Sequence, residues 1–243
     1  MDTKRIDIET SPGTAVSGRL TLPRTCRPGI TPGLILAHGQ NNDLAHPLLA
    51  SVADYVARAG AAMVLRFNFP YTERGEERPD PSPVLETAYR CAYAALLGNT
   101  LCPPGPVFLG GKSLGARIAA ELVSRGADAG GVRSAGLVFL GFPLHAPGRK
   151  DQPRTEPLRH VAVPSLFITG TQDPFCDLAL LKTVTAGLTH PGTIHLVEGG
   201  DHSLEVRPPG GEARDGAYCE VGARIVAFIE EVITGRSRCE FPT

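Results

Sequence analysis

A short apolar run, Val107-Phe108-Leu109, leads straight into Gly110-Gly111-Lys112-Ser113-Leu114-Gly115, and a helical pattern follows with Leu114, Ile118 and Leu122 on one face. A strand that turns into a helix over so few residues needs space that a Cβ would fill, and the glycines on either side of Ser113 leave it free. Such a turn holds the Ser113 hydroxyl clear of the sheet at a helix N-terminus, where backbone N–H groups can stabilise a developing oxyanion. An enzyme with a serine nucleophile is the leading reading. Gly111-Lys112-Ser113 is also the tail of a phosphate-binding loop, but that motif requires glycine where Pro106 stands and loop where 107–109 reads as strand.

The rest of the chain alternates in the same way. Ile6-Asp7-Ile8 and Val16 to Leu20 alternate apolar and polar around Ser11-Pro12-Gly13, which predicts an antiparallel hairpin. The continuous apolar run at 34–37, and the runs at 136–140 and 165–169, predict strands buried on both faces, and 62–67, 107–110 and 193–197 read as further strands. Helical patterns lie between them, at about 47–59, 82–97, 114–125, 177–188 and 213–233, with at most a short helix in 153–160. Repeated alternation of this kind gives a doubly wound α/β fold: a mainly parallel sheet with helices on both faces. No linker divides the chain, so residues 1–243 are expected to form a single domain. The stretch after 136–140 is too short for a large lid, and the site should be open. Pro/Gly clusters at 27–33, 102–106 and 207–211 read as surface loops.

Composition narrows the function. With 42% hydrophobic and 20% charged residues, a sizeable core is available, and the net charge of −1 gives no basic field for nucleic acid or an anionic membrane. No apolar run approaches the roughly 20 residues of a membrane span. The charged start, Met1-Asp2-Thr3-Lys4-Arg5, is unlike a signal peptide, so the cytoplasm is the expected location. Cysteines 26, 91, 102, 176, 219 and 239 form no CxxC, and in a reducing compartment they read as buried or incidental thiols. No metal or other cofactor is expected.

A serine hydroxyl needs a base to take its proton, and the base needs a carboxylate to hold it. Two strand ends supply them: Gly170-Thr171-Gln172-Asp173-Pro174-Phe175 after 165–169, and Glu198-Gly199-Gly200-Asp201-His202-Ser203 after 193–197. Ser113, Asp173 and His202 thus all follow C-terminal ends of strands, where doubly wound sheets place their sites. Asp177 reads as a helix cap, Asp201 as a brace for its own loop, and Cys176 as a packing thiol. An oxyanion hole needs two donors: Leu114 N–H, and an N–H from His38-Gly39-Gln40-Asn41-Asn42, for which Gln40 is chosen and His38 is read as loop packing. Phe69, Tyr71, Phe142, Leu144, Phe175 and Leu204 follow strand ends and are candidates to line an apolar substrate pocket. Arg66 is expected to brace a loop, and the run Glu73-Arg74-Gly75-Glu76-Glu77-Arg78 to be a solvated one.

With these residues placed, the sequence resembles the α/β-hydrolase superfamily over nearly its whole length, and within it the small, lid-less dienelactone-hydrolase-like branch. It is similar to the predicted bacterial hydrolases related to the KAT8 regulatory NSL complex subunit 3. The strings that carry this are Leu36-Ala37-His38-Gly39, Arg66 to Tyr71, Gly110 to Gly115, Gly141-Phe142-Pro143-Leu144-His145-Ala146-Pro147-Gly148, Gly170 to Phe175 and Gly199 to Ser203. The resemblance implies Ser113 as nucleophile, Asp173 as acid and His202 as base, with no cofactor. Dienelactone hydrolases proper use a cysteine nucleophile, so their lactone substrate does not transfer to Ser113. The expected partner is a small-molecule ester rather than nucleic acid, a membrane or any protein the sequence specifies.

Overall fold

The computed structural model describes residues 2–146, 148–207 and 216–235. Pro147, Cys239, most of the 207–211 cluster and the expected helix start at 213–215 lie outside them. The chain runs β1 (Asp2–Ser11), β2 (Thr14–Leu22), β3 (Gly33–Ala37), α1 (Pro47–Arg58), β4 (Met63–Phe67), α2 (Pro70–Glu73), α3 (Ser82–Leu97), β5 (Val107–Lys112), α4 (Leu114–Ser124), β6 (Gly136–Leu140), β7 (Ser165–Gly170), α5 (Leu178–Ala186), β8 (Thr193–Val197) and α6 (Ala217–Thr234). The eight strands form one sheet in the order β1-β2-β4-β3-β5-β6-β7-β8. The β1–β2 and β2–β4 pairings are antiparallel, and all the others are parallel.

The central strands are apolar on both faces because both faces are covered. In β3, Ile35 and Ala37 enter the core beneath α3 and α4, while Leu34 and Leu36 enter the core beneath α1 and α6. Phe108 and Leu109, Val138 and Phe139, and Ile168 and Phe167 divide between the two cores in the same way. Strand period 2 thus feeds two hydrophobic layers from one run of sequence. Each such side chain removed from water stabilises the fold by about 1.5–3 kcal/mol before its entropy cost. Tyr89, on α3, brings a polar group into this layer. Its hydroxyl accepts from Gly110 N–H at 2.9 Å and lies 2.8 Å from the Gly110 carbonyl, so a buried phenol is satisfied by a strand backbone.

The strand order reverses between β3 and β5: α1 leads from β3 to β4 on one side, and α3 then carries the chain back to β5 on the other. The loops after β3 and β5 leave the sheet at this switch point, the usual ligand position in a doubly wound sheet. At the opposite end of these two strands, Cys26 and Cys102 form a disulfide across a sequence separation of 76. The expectation of six unpaired thiols is corrected for this pair. The Gly29 N–H donates to the Pro103 carbonyl at 2.8 Å, and this contact brings together two loops that no local spacing connects.

Candidate active site

Ser113 sits between β5 and α4 with φ 51° and ψ −108°, a conformation that costs a non-glycine residue about 1–3 kcal/mol. Two contacts maintain it. The Ser113 N–H donates to the Leu140 carbonyl at 3.0 Å, which ties the apex to β6. Gly111 and Gly115 press against the end of β3 so closely that a Cβ on either would lie 2.5 Å and 2.4 Å from the Ala37 carbonyl oxygen. The turn is tight because β3 fills the space behind it.

The loops bearing Asp173 and His202 are fastened to each other. Gln172 N–H donates to the Gly200 carbonyl at 2.9 Å and Thr171 N–H to the Val197 carbonyl at 3.1 Å. Within its own loop, Asp173 Oδ1 accepts the Phe175 N–H at 2.8 Å, which turns Oδ2 toward His202. Asp201 Oδ1 accepts the N–H groups of Ser203 and Glu205, so it braces the loop that presents His202. His202 Nδ1 lies 2.8 Å from Asp173 Oδ2, and His202 Nε2 lies 2.9 Å from Ser113 Oγ. The carboxylate can only accept, so Nδ1 carries the proton and Nε2 is free to take the serine's.

Two further residues shape this end of the site. The Phe175 ring lies over the His202 imidazole at a centroid distance of 4.2 Å. Gly141, at φ 63°, lies so close behind His202 that a Cβ there would stand 2.9 Å from its carbonyl oxygen. Gly141 stands next to the strand end at Leu140, but the sequence carries no local signal of what it faces.

The donors expected for an oxyanion hole are both uncommitted. Among the described residues, neither the Gln40 N–H nor the Leu114 N–H makes a hydrogen bond, whereas the Ser113 N–H is used by Leu140. Gly39 packs directly on Ser113, with its Cβ position 3.3 Å from Ser113 Cβ. Behind this loop, Arg66 Nη1 donates to the Leu44 carbonyl at 2.7 Å and Asn68 Oδ1 accepts the Leu44 N–H at 2.7 Å, so both side chains brace.

The expected apolar pocket needs correction. Phe69, Phe142, Leu144 and Leu204 are 0–2% exposed. They turn back under the loops and pack in the core: Phe69 against Phe67 and His38, Phe142 against Phe139 and Phe167. Of the six candidates, Phe175 stays partly exposed beside His202, and Tyr71, buried at 1% exposure against His38 and Phe69, backs a cavity of about 700 Å³. That cavity adjoins the 39–42 loop, and its other walls are polar: Asn41, Asn42, Asp43, His46 and Glu77 among them. Burial lowers the pKa of His46, so its ring is neutral near pH 7.

The neighbouring titratable groups take supporting positions. Lys112 is buried beside Ser113, and burial pulls its pKa below the ordinary lysine value against the opposing pull of Asp173, Asp201 and Glu205. Cys176 is buried, and burial pushes its thiol up to about 11, so it is a packing residue and not a nucleophile. Asp177 caps α5 by accepting from Ala179 and Leu180 N–H. Among the described residues, no group of three His, Cys, Asp or Glu is placed to hold a metal ion, and no helix is long and apolar enough to cross a membrane.

Residues 31–230 match the family described as the alpha/beta hydrolase domain. The chain belongs to the alpha/beta hydrolases. Its fold is shared by solved structures at low sequence identity. A dienelactone hydrolase from Anabaena variabilis superposes with a TM-score of 0.71 at 18% identity, covering 95% of this chain and 97% of that one. An alpha-beta serine hydrolase homologue from Coxiella burnetii gives 0.70 at 17%, over 92% and 96%. A serine hydrolase without a lid from Xanthomonas campestris gives 0.64 at 13%, over 99% and 97%. Among the described residues of this chain between β6 and β7, the one helical element is a 3₁₀ turn at Glu156–Leu158.

Proposed function

We propose that the protein is a serine hydrolase that cleaves small carboxylic esters or thioesters through an acyl-enzyme on Ser113. The observation that carries this is the unbroken line from Asp173 Oδ2 through His202 to Ser113 Oγ, at 2.8 and 2.9 Å, beside the Gln40 and Leu114 N–H groups, which have no partner among the described residues. His202 Nε2 takes the hydroxyl proton as Ser113 Oγ bonds to the carbonyl carbon, and the oxyanion accepts from Gln40 and Leu114 N–H. Collapse of the tetrahedral intermediate breaks the bond to the leaving alcohol or thiol, which receives the proton from His202. Water, deprotonated by the same nitrogen, then releases the acid and restores Ser113. Asp173 holds the imidazole and stabilises the imidazolium.

Most of the apolar side chains expected to line a pocket serve the core, Phe175 excepted, and the cavity next to the 39–42 loop is lined mainly by polar residues, which supports short esters bearing polar substituents over long alkyl chains. The run Gly110 to Gly115 supports a place nearer the predicted hydrolases related to the KAT8 regulatory NSL complex subunit 3 than to dienelactone hydrolases proper. A cytoplasmic setting belongs to the same reading, and there the Cys26–Cys102 bond would face a reducing thiol pool. No nucleic-acid or membrane partner is part of it.

A fluorophosphonate probe and a panel of ester, thioester and amide substrates test the proposal together. Labelling at Ser113 with ester turnover supports it. A well-folded protein that takes no label and turns over nothing would instead be a binding protein on a hydrolase scaffold. Amide cleavage faster than ester cleavage would move the reading to a peptidase.

A further inference from the structure

We infer that His38, fixed as the neutral Nδ1–H tautomer, is a positioning residue that aims the oxyanion-binding N–H of Gln40. The inference rests on the hydrolase reading of this site and deepens it. His38 is fully buried at the end of β3, and both ring nitrogens are committed. Its Nδ1 lies 2.8 Å from the Gly39 carbonyl oxygen, which can only accept, so Nδ1 carries a proton. Its Nε2 receives the Phe69 backbone N–H at 3.0 Å, so Nε2 carries none. One neutral tautomer satisfies both, and the Thr72 hydroxyl, 3.3 Å from Nε2, can donate to it as well.

The carbonyl that His38 holds belongs to the peptide whose N–H is Gln40's. The Asn42 N–H and the Tyr71 hydroxyl donate to the same oxygen at 3.3 and 3.5 Å. A trans peptide is planar, with its C=O and N–H pointing opposite ways, and no cis bond occurs among the described residues. Donors gathered on the Gly39 oxygen therefore set the direction of the Gln40 N–H on the other side. That N–H has no hydrogen-bond partner among the described residues, and Gly39 itself packs on Ser113. Polarising the carbonyl also makes the N–H a stronger donor, because chained hydrogen bonds reinforce one another. Burial lowers the His38 pKa to about 4, which keeps the required neutral ring at working pH.

Two substitutions separate the nitrogens. In His38→Gln the amide reaches the Nε2 position and can still serve Phe69 N–H, but Gly39 loses its shortest donor. In His38→Asn the amide N–H stands where Nδ1–H did. With a short p-nitrophenyl ester, H38Q should lower kcat by about 10²-fold with KM little changed, the scale of losing one oxyanion donor. Its affinity for a boronic acid, which forms a tetrahedral adduct on the serine, should fall in step. H38N should recover most of that loss. A merely structural histidine would give both variants a lower Tm and leave kcat per folded molecule alike, and a folded H38Q with parental kcat and boronate affinity overturns the inference. Nitrogen NMR of the parent protein tests it without any variant. Nδ1 should be protonated and Nε2 bare, and the opposite tautomer overturns it even if the parent cleaves no ester, a result that would instead sink the hydrolase reading.

Discussion

In the proposed mechanism Ser113 Oγ is a weak nucleophile until His202 Nε2, 2.9 Å away, removes its proton, and His202 does so only as the tautomer that Asp173 selects. Ser113→Ala should therefore lower ester turnover by several orders of magnitude with an unchanged melting curve. Asp173→Asn can donate to Nδ1 and reverse the tautomer, so steady-state kinetics should show a loss of about 10⁴-fold in kcat. His38 predicts a pH effect on stability. Its folded pKa of about 4 lies below the ordinary 6.5, with burial the main cause. The unfolded chain therefore binds a proton between these values that the native state refuses, and stability drops as pH falls from about 6.5 to about 4. The drop approaches 3 kcal/mol at the pKa scale of about 1.4 kcal/mol per unit, and urea midpoints across that window measure it. A midpoint that stays flat in the parent, or falls as steeply in H38N, would contradict this. At this scale Asp173, His202 and the caps and braces at Asp177 and Asp201 were readable, because each follows a strand end or opens an element. The inward turn of Phe142, Leu144 and Leu204 was not. A loop residue's side-chain direction depends on the core beneath it, and sequence spacing is silent about that.

The elements supply the rigidity that the site requires. The serine turn works as a wedge between β3 and β6, and Gly111 and Gly115 are contacts that cannot grow. Gly115→Ala places a methyl carbon 2.4 Å from the Ala37 carbonyl oxygen, a clash with backbone that no rotamer relieves. It should cost about 1–3 kcal/mol or more, and since β3 also carries the 39–42 loop, kcat should fall with Tm. A Gly115→Ala protein with parental Tm would mean that the packing is looser than described. Most elements were legible because apolar strands and amphipathic helices alternate with glycine and proline stops. The helix α2 was not foreseen. It is one turn long, opened by Pro70, too short for any 3.6-residue period to register. The expected short helix in 153–160 is a 3₁₀ turn at Glu156–Leu158.

Across the whole molecule, the sheet separates chemistry from fastening. The loops bearing Ser113, Asp173 and His202 leave the C-terminal ends of β5, β7 and β8, while the Cys26–Cys102 bond joins the segments entering β3 and β5 at the other end. A double Cys26→Ser, Cys102→Ser variant should lose about 2–5 kcal/mol of stability by denaturant titration, with kcat/KM near parental. A large loss of kcat/KM in a folded variant would show that the two ends are coupled. The pairing escaped sequence reading because it depends on parallel neighbours brought together by a crossover. The doubly wound architecture itself was plain from the alternation of elements.

The most direct test is mass spectrometry of the protein quenched in acid during turnover of p-nitrophenyl acetate. One acetyl group on the peptide that contains Ser113, absent from Ser113→Ala, is the predicted result. Turnover by the parent with that peptide unmodified, or undiminished turnover by Ser113→Ala, would contradict covalent catalysis at this serine.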